Sequence, residues 1–263
     1  MWRYEMDPYY GIMIDPGTFR GIARKELSGH WPHVIIGVVI YYVFSSIIPE
    51  ILLVFVPVGR QLVWMEPLQN YMQISYLTNL YTMFLSGTFL VGLHKFIMMF
   101  FRKKDIQNGY IFDGFSYYFK TFVMTVIIGI KVALWSLLFI IPGIVALYRY
   151  SQAYFILAET PSKSPFQCIE ESKYLMANNK GKLFMLDLSF LALYLLASLV
   201  QIPSYYFNIS GMPTLVVVID AISYLVMAPV MAYAMTAHCA FFDVLTGHLV
   251  IDRRPYIPPT SNQ

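Results

Sequence analysis

Four ionisable residues stand inside apolar runs of this sequence: Glu50, Lys131, Arg149 and Asp220. A charged side chain in hydrocarbon costs about 2.5 to 3.5 kcal/mol on insertion scales, so each needs an opposite charge, water or a task. Counted along a helix at about 1.5 Å per residue, Lys131 lies about 16 Å from Lys120 and about as far from Pro142, near the middle of its run. Arg149 is about 10 Å from Pro142, Asp220 about as far from Pro213, and Glu50 stands near the far end of the first run, so these three share a depth. An Arg149 pair with Asp220 or Glu50 would neutralise charges that are costly alone. Lys131, Arg149, Glu50 and Asp220 are therefore expected to line a polar intramembrane cavity. The alternative is a buried structural ion pair plus one lysine that borrows backbone carbonyls or a lipid phosphate.

Asp187 and His238 are secondary candidates. Asp187 lies about one turn inside the fifth apolar run and Asp243 near the end of the sixth, so both can reach a membrane boundary. His238 can titrate near neutral pH or serve as an interhelical hydrogen-bonding group. His94 and Lys95 fit structural roles, the lysine by snorkelling toward Arg102. No Walker loop, HExxH pair, GxSxG elbow or dinucleotide glycine pattern occurs, so no catalytic residue, cofactor or enzyme activity is expected. An intramembrane hydrolase would have to draw on His94, His238, Asp187 and Asp243. Cys168 and Cys239 are the two cysteines; each is alone in its segment, with no CxxC or Cys/His cluster that could make a zinc or redox site, so both are expected to be reduced thiols and no metal site is expected.

The elements that carry these residues are set by hydropathy. Of 263 residues, 58% are hydrophobic, 17% aromatic and 13% charged, more apolar surface than a soluble domain of this length buries. The first thirty residues lack the apolar core of a signal peptide. A crossing takes about 20 residues, and six runs qualify or are argued: Val34–Val58, kinked or ended by Pro49; Leu77–Phe101; Thr121–Ile141 and Ile144–Ala158, a hairpin split at Pro142-Gly143; Leu183–Ile202; and Leu215–Val244. The fourth is short. Ala228, Ala232, Thr236 and Ala240 form a ridge of small side chains in the last run for close helix packing.

Charge placement sets orientation. With the N-terminus inside, Arg3, Arg20, Arg24 and Lys25, then Arg102, Lys103, Lys104 and Lys120, then Lys163, Lys173, Lys180 and Lys182, and finally Arg253 and Arg254 all fall inside, and Arg60 alone outside. A five-span layout, with 121–158 crossing once, would put the Lys163–Lys182 cluster outside. The fold expected is thus all-α: a polytopic transmembrane bundle of about six spans in one membrane domain over 1–263. It comprises a cytoplasmic N-terminal segment and interfacial helix (1–33), the bundle (34–245) and a cytoplasmic tail (246–263). Trp31, Tyr76, Tyr117, Tyr118, Tyr205 and Tyr206 fall near the boundaries. The net charge of +3 is dispersed in short clusters, which gives no support to nucleic-acid binding. Asn208-Ile209-Ser210 matches a glycosylation sequon.

Each hairpin follows a short amphipathic segment. Phe19, Ile22, Ala23 and Leu27 share a face in the first, with Thr18 as its cap. Ile111, Phe115, Tyr118, Phe119 and Phe122 repeat at helical spacing in the second. In the third, Ser164 and Gln167 make a capping box around Pro165, and Asn178, Asn179 and Gly181 end the helix. The expected layout is three units of interfacial helix plus hairpin, with the helices against membrane lipids and their anionic headgroups.

GFSYYFKTF, LWSLLFIIPGIVAL, YFILAE, SPFQCIEESKYLM, KGKLFMLDLSF and the opening IARKELSGHW together resemble the bacterial integral membrane proteins catalogued as domain of unknown function 975. The likeness covers most of the chain and departs from the family pattern at Arg149 and in the outer loops. It implies a multi-span protein of the bacterial cytoplasmic membrane and carries over no reaction or ligand. A looser likeness to the membrane region of some glycerophosphodiester phosphodiesterases implies lipid or envelope biology. Two function classes follow: transport or lipid handling through the polar cavity, and a non-transporting accessory or scaffold protein with an unidentified protein partner.

Overall fold

Hydrophobic runs interrupted by capping and turn residues fold into helices of very unequal length. A computed structural model describes residues 14–56, 58–65, 70–204 and 212–250. Arg3, Tyr205, Tyr206, the sequon at 208–210, Arg253 and Arg254 lie outside the described residues, as do most of the expected N-terminal segment and tail. In chain order the helices are α1 (Pro16–Leu27), α2 (Trp31–Tyr42), α3 (Ile48–Phe55), α4 (Tyr76–Lys103), α5 (Tyr118–Leu138), α6 (Ile140–Tyr150), α7 (Ala153–Glu159), α8 (Pro165–Leu175), α9 (Lys180–Ser198) and α10 (Pro213–Thr246). A π-helical segment, Val43–Ile47, joins α2 to α3, and a 3₁₀ segment, Asn108–Tyr117, leads into α5. Strands β1 (Arg60–Met65) and β2 (Asn70–Ser75) pair antiparallel between α3 and α4. This small hairpin adds a β element to the helical bundle in a connection that the hydropathy pattern leaves blank.

Among the described residues, five helical stretches are long and apolar enough to cross a membrane: Trp31–Phe55, Tyr76–Lys103, Asn108–Leu138, Lys180–Ser204 and Pro213–Thr246. The protein is a membrane protein. Pro49 does not end the first stretch. Its missing N–H and its ring disturb the preceding turn, and the backbone widens there into the π segment. The Tyr81 hydroxyl donates to the Phe44 carbonyl at 2.6 Å and the Thr78 hydroxyl to the Pro49 carbonyl at 3.3 Å, which satisfies groups the irregular turn leaves open.

The α5–α6 hairpin reverses at Phe139, whose backbone is extended, and not at Pro142-Gly143. Proline is tolerated in the first turn of a helix, where its absent N–H has no intrahelical partner. Gly143 then lets α6 settle against Ser136 of α5. The Lys120 ammonium donates to the Pro161 carbonyl at 2.7 Å, so α5 leaves and the α6–α7 limb returns at the same end of the bundle. With 11 residues, α6 is about 16 Å long, roughly half the hydrocarbon thickness.

Two helices outrun the bilayer. α10 has 34 residues, about 51 Å against a core about 30 Å thick. Its first part exposes Leu215, Val218, Ile222, Leu225 and Val226, whereas from Ala228 onward most of its side chains are buried. α4 behaves likewise, exposing Leu77, Leu80, Met83 and Phe84 and burying most positions from Gly87. The molecule is thus divided into a lipid-facing half and a packed half built around Phe19, Phe96, Phe100, Phe155, Phe241 and Phe242. The ridge Ala228, Ala232, Thr236 and Ala240 is fully buried in that packing.

The three amphipathic segments end up differently. α1 is capped by the Asp15 carboxylate, which accepts from the Gly17 N–H at 2.7 Å, and not by Thr18. It buries Phe19, Ala23 and Leu27 against α10 and α9. The segment before α5 packs its backbone onto α4: Gly92 faces the Ile111 carbonyl and Gly114 the Thr88 carbonyl, both too close for a Cβ. α8 carries the expected capping box, with Ser164 N–H donating to Gln167 Oε1 at 2.8 Å and Gln167 N–H to Ser164 Oγ at 3.3 Å. Gly181 lies in the first turn of α9, so it does not end α8.

Gly92→Ala should therefore lower the thermal stability of the detergent-solubilised protein by about 1 to 3 kcal/mol, the usual range for an overpacked contact, while Gly129→Ala, in open space, should leave it unchanged. Equal melting of the two variants would contradict the close approach of α4 and the 108–117 segment.

Candidate functional site

Polar side chains gather in three clusters, and the first joins two of the four leading candidates. Glu50 on α3 and Asp220 on α10 bring their carboxyls close together. Asp220 is 5% exposed. One oxygen of each, Glu50 Oε2 and Asp220 Oδ1, is buried with no hydrogen-bond partner. Among the described residues neither carboxyl has a basic ion-pair partner. Tyr224, one turn after Asp220, is within electrostatic reach of both carboxyls and lies near Ser46 of the π segment. Its ring stacks on Tyr42 with centroids 5.1 Å apart.

Arg149 and Lys131 are elsewhere. The backbone carbonyl of Arg149 accepts from the Ser172 hydroxyl at 3.0 Å, and its guanidinium is near Lys180, so it belongs with α8 and α9. The Lys131 ammonium sits 5.2 Å from the centroid of the Tyr150 ring. It also faces Glu170 of α8, whose carboxyl is held below the usual range first by Lys173 and then by Lys131. Depth counting placed Arg149 with Asp220 because it took α6 as a limb running beside α10. In the fold α6 packs on α5, α8 and α9, and α8 carries a polar layer up to Lys131. The expected four-residue cavity is thus two separate places, an acidic pair inside and a basic pair at the α5–α6 hairpin.

The second cluster joins both secondary candidates. His238 Nε2 meets Asp187 Oδ1 at 2.5 Å, and the Tyr148 hydroxyl donates to Asp187 Oδ2 at 2.8 Å. Helices α6, α9 and α10 each supply one group. Tyr194, two turns along α9, is within electrostatic reach of both Asp187 and Tyr42. Asp187–His238, Tyr194, Tyr42, Tyr224 and Glu50–Asp220 thus form a file in the loose sense that each is within electrostatic reach of the next, with Tyr42 and Tyr224 in ring contact. Asp220 and His238 are 18 residues apart on α10, about 27 Å at helical rise, so the file spans most of a bilayer.

The third cluster is structural. Arg102 at the end of α4 donates from Nε and Nη2 to Asp243 of α10, the shortest contact being 2.5 Å, and from Nη1 to Glu159 of α7 at 2.6 Å. Asp243, expected to reach a boundary, is instead buried under this guanidinium, its side chain 3% exposed. Lys95 donates to the Ala158 carbonyl at 3.2 Å, and His94 Nδ1 contacts the Leu90 carbonyl at 2.7 Å. Among the described residues no group of three or more His, Cys, Asp and Glu could hold a metal ion. The tyrosines of the file and the Arg102 junction are absent from the sequence-based set. An aspartate near the end of an apolar run calls for a cation when its helix end is packed, and Arg102 closes the run that ends at the same face.

Fold and clusters define a polytopic helical membrane protein with ionisable groups held between its helices. Residues 137–248 match the sequence profile of the family described as Protein of unknown function (DUF975), the family that the sequence resembles. The match covers less than half of the chain and leaves IARKELSGHW and GFSYYFKTF outside it. Searches of the curated proteins and of the solved structures found no match.

Arg102→Ala should destabilise the protein by about 3 to 5 kcal/mol, because it strands a buried carboxylate, and adding Asp243→Asn should recover part of the loss in thermal unfolding. An Arg102→Ala protein that melts like the natural chain would remove the junction from the stability of the fold. Cys168 and Cys239 are free and buried, and burial pushes the Cys168 thiol up to about 11. A membrane-permeant maleimide at neutral pH should label both only after denaturation; rapid labelling of the folded chain would contradict that burial.

Proposed function

We propose that this is a non-enzymatic transport protein of the bacterial cytoplasmic membrane, which moves protons, alone or coupled to a polar solute, along the file between Glu50–Asp220 and Asp187–His238. The carrying observation is that two carboxylate clusters occupy opposite ends of one helix interior and are linked by tyrosines. Intramembrane carboxylates without a permanent cation are the groups that relays use. In this reading the Glu50–Asp220 pair is the proton-binding end; Tyr224 and Tyr42 border it on α10 and α2, and Tyr81 on α4 is occupied by the Phe44 carbonyl. At the other end the Asp187 carboxylate accepts from Tyr148 and His238, so a proton arriving there meets an imidazole that can carry it. The basic end faces the cytoplasm by the positive-inside rule, which puts Glu50–Asp220 toward the outer surface.

An accessory or scaffold role is the second reading, favoured by the extent of the packed half, where Arg102, α1 and α10 form a large rigid core. Reconstitution separates the two. Proteoliposomes enclosing a pH-sensitive dye, with a potassium diffusion potential imposed, should acidify or alkalinise faster than empty vesicles. Glu50→Gln, Asp220→Asn and Asp187→Asn should each return the rate to that of empty vesicles while the protein stays monodisperse. A natural chain no faster than empty vesicles, with and without added polar solutes, would leave the accessory role standing.

A further inference from the structure

The α5–α6 hairpin carries a groove of about 260 Å³ lined by Trp135, Ile141, Pro142, Val145, Ala146 and Arg149. Five of these residues are apolar and the sixth is a cation at one end. From Ile141 to Arg149 is eight residues along α6, about 12 Å, a length that suits part of an acyl chain. Lys131 lies one turn before Trp135 on α5, and its ammonium packs on Tyr150, the neighbour of Arg149. Lys180 is close enough to Arg149 to feel its charge. Arg149 thus stands at one end of an apolar trough, with Lys180, whose ammonium donates to the Met176 and Ala177 carbonyls, within electrostatic reach and Lys131 against the neighbouring Tyr150.

What that end lacks is a matching anion. Among the described residues neither Arg149 nor Lys131 forms an ion pair with a carboxylate, and the nearby Glu170 is held by Lys173 at 3.0 Å. At the other end the hairpin tip, Leu137–Ile141, is 61 to 82% exposed. A soluble anion would answer the cations and leave the tip bare to water. An amphiphile answers both. The planar guanidinium suits a phosphate, to which it can donate two parallel hydrogen bonds, and basic residues at a membrane surface favour anionic lipids.

We propose that this groove binds one anionic phospholipid, its phosphate held by Arg149 with Lys131 and Lys180 beside it, and one acyl chain lying along Trp135, Val145 and Ile141. The site is separate from the proton file and does not depend on it. Trp135 reports on its occupant. The full chain is reconstituted in phosphatidylcholine nanodiscs containing equal fractions of either chain-brominated phosphatidylglycerol or chain-brominated phosphatidylcholine. The signal is the part of tryptophan quenching that disappears in Trp135→Phe. Phosphatidylglycerol should quench it several-fold more than phosphatidylcholine, Arg149→Gln should abolish the difference, and Arg149→Lys should keep part of it. Equal quenching by the two lipids in the natural chain would overturn the proposal, and that comparison decides even if Arg149→Gln fails to fold. Loss of the preference on adding inorganic phosphate at constant ionic strength would assign Arg149 to a soluble anion and also overturn it.

Discussion

The guanidinium of Arg102 is the joint on which the packed half of this protein depends. It receives Asp243 from α10 on one side and Glu159 from α7 on the other, and thereby ties the ends of three helices that are far apart in sequence. Asp243 is almost wholly buried, and a buried carboxylate is tolerable only when its hydrogen bonds and charge are answered together. Around that joint the surfaces are apolar and tightly fitted: Phe155 stacks on Phe242 at 5.1 Å, and Phe19 meets Phe241 at 5.4 Å. α1 is held in turn by the Tyr233 hydroxyl, which donates to the Arg20 carbonyl at 3.0 Å.

The lipid-facing half is organised by a different constraint. Hydrocarbon offers no partner to a polar group, so the polar groups of this half turn toward one another between helices. The π segment contributes directly: ahead of Pro49 it lies beside α10, which puts Ser46 near Tyr224 and Glu50 near Asp220. A straight helix with alanine at position 49 would keep the regular bonding of that turn and alter the angular position of Glu50 relative to Tyr42. Irregular backbone and acidic pair are one feature.

Much of this was legible in the sequence, and the boundary of legibility has a physical cause. The capping box at Ser164 and Gln167 and the buried ridge from Ala228 to Ala240 are local patterns, decided within a few turns of one helix. The membrane character follows from composition alone. Pairing between helices is not local. Glu50, Asp220, Asp187 and His238 all stand out as polar groups in apolar runs, yet nothing along the chain says that Glu50 meets Asp220 and not Arg149. Counting residues gives depth along an axis and leaves out the angle around it and the identity of the neighbour. It also treats a run as one straight helix, whereas the returning limb of the hairpin is built from two, α6 and α7. The tyrosines escaped notice for a related reason: in an aromatic-rich membrane sequence a single Tyr148 or Tyr194 carries no signal until a carboxylate is placed beside it.

The resulting separation of charge is itself informative. A bundle that needed only stability would pair Arg149 with the nearest interior carboxylate, since an ion pair answers both costs at once. Here the anions and cations are kept apart. Glu50 and Asp220 face one another without a cation among the described residues, whereas an arginine partner would fix a charge there permanently. Lys131 and Arg149 sit by the α5–α6 hairpin against tyrosine, backbone and lipid-exposed surface, where a phosphate can approach from the membrane. On the readings proposed above, one set of groups would serve an exchangeable proton and the other an exchangeable anion. That division is difficult to explain by packing, because packing alone favours the direct pair that the fold avoids.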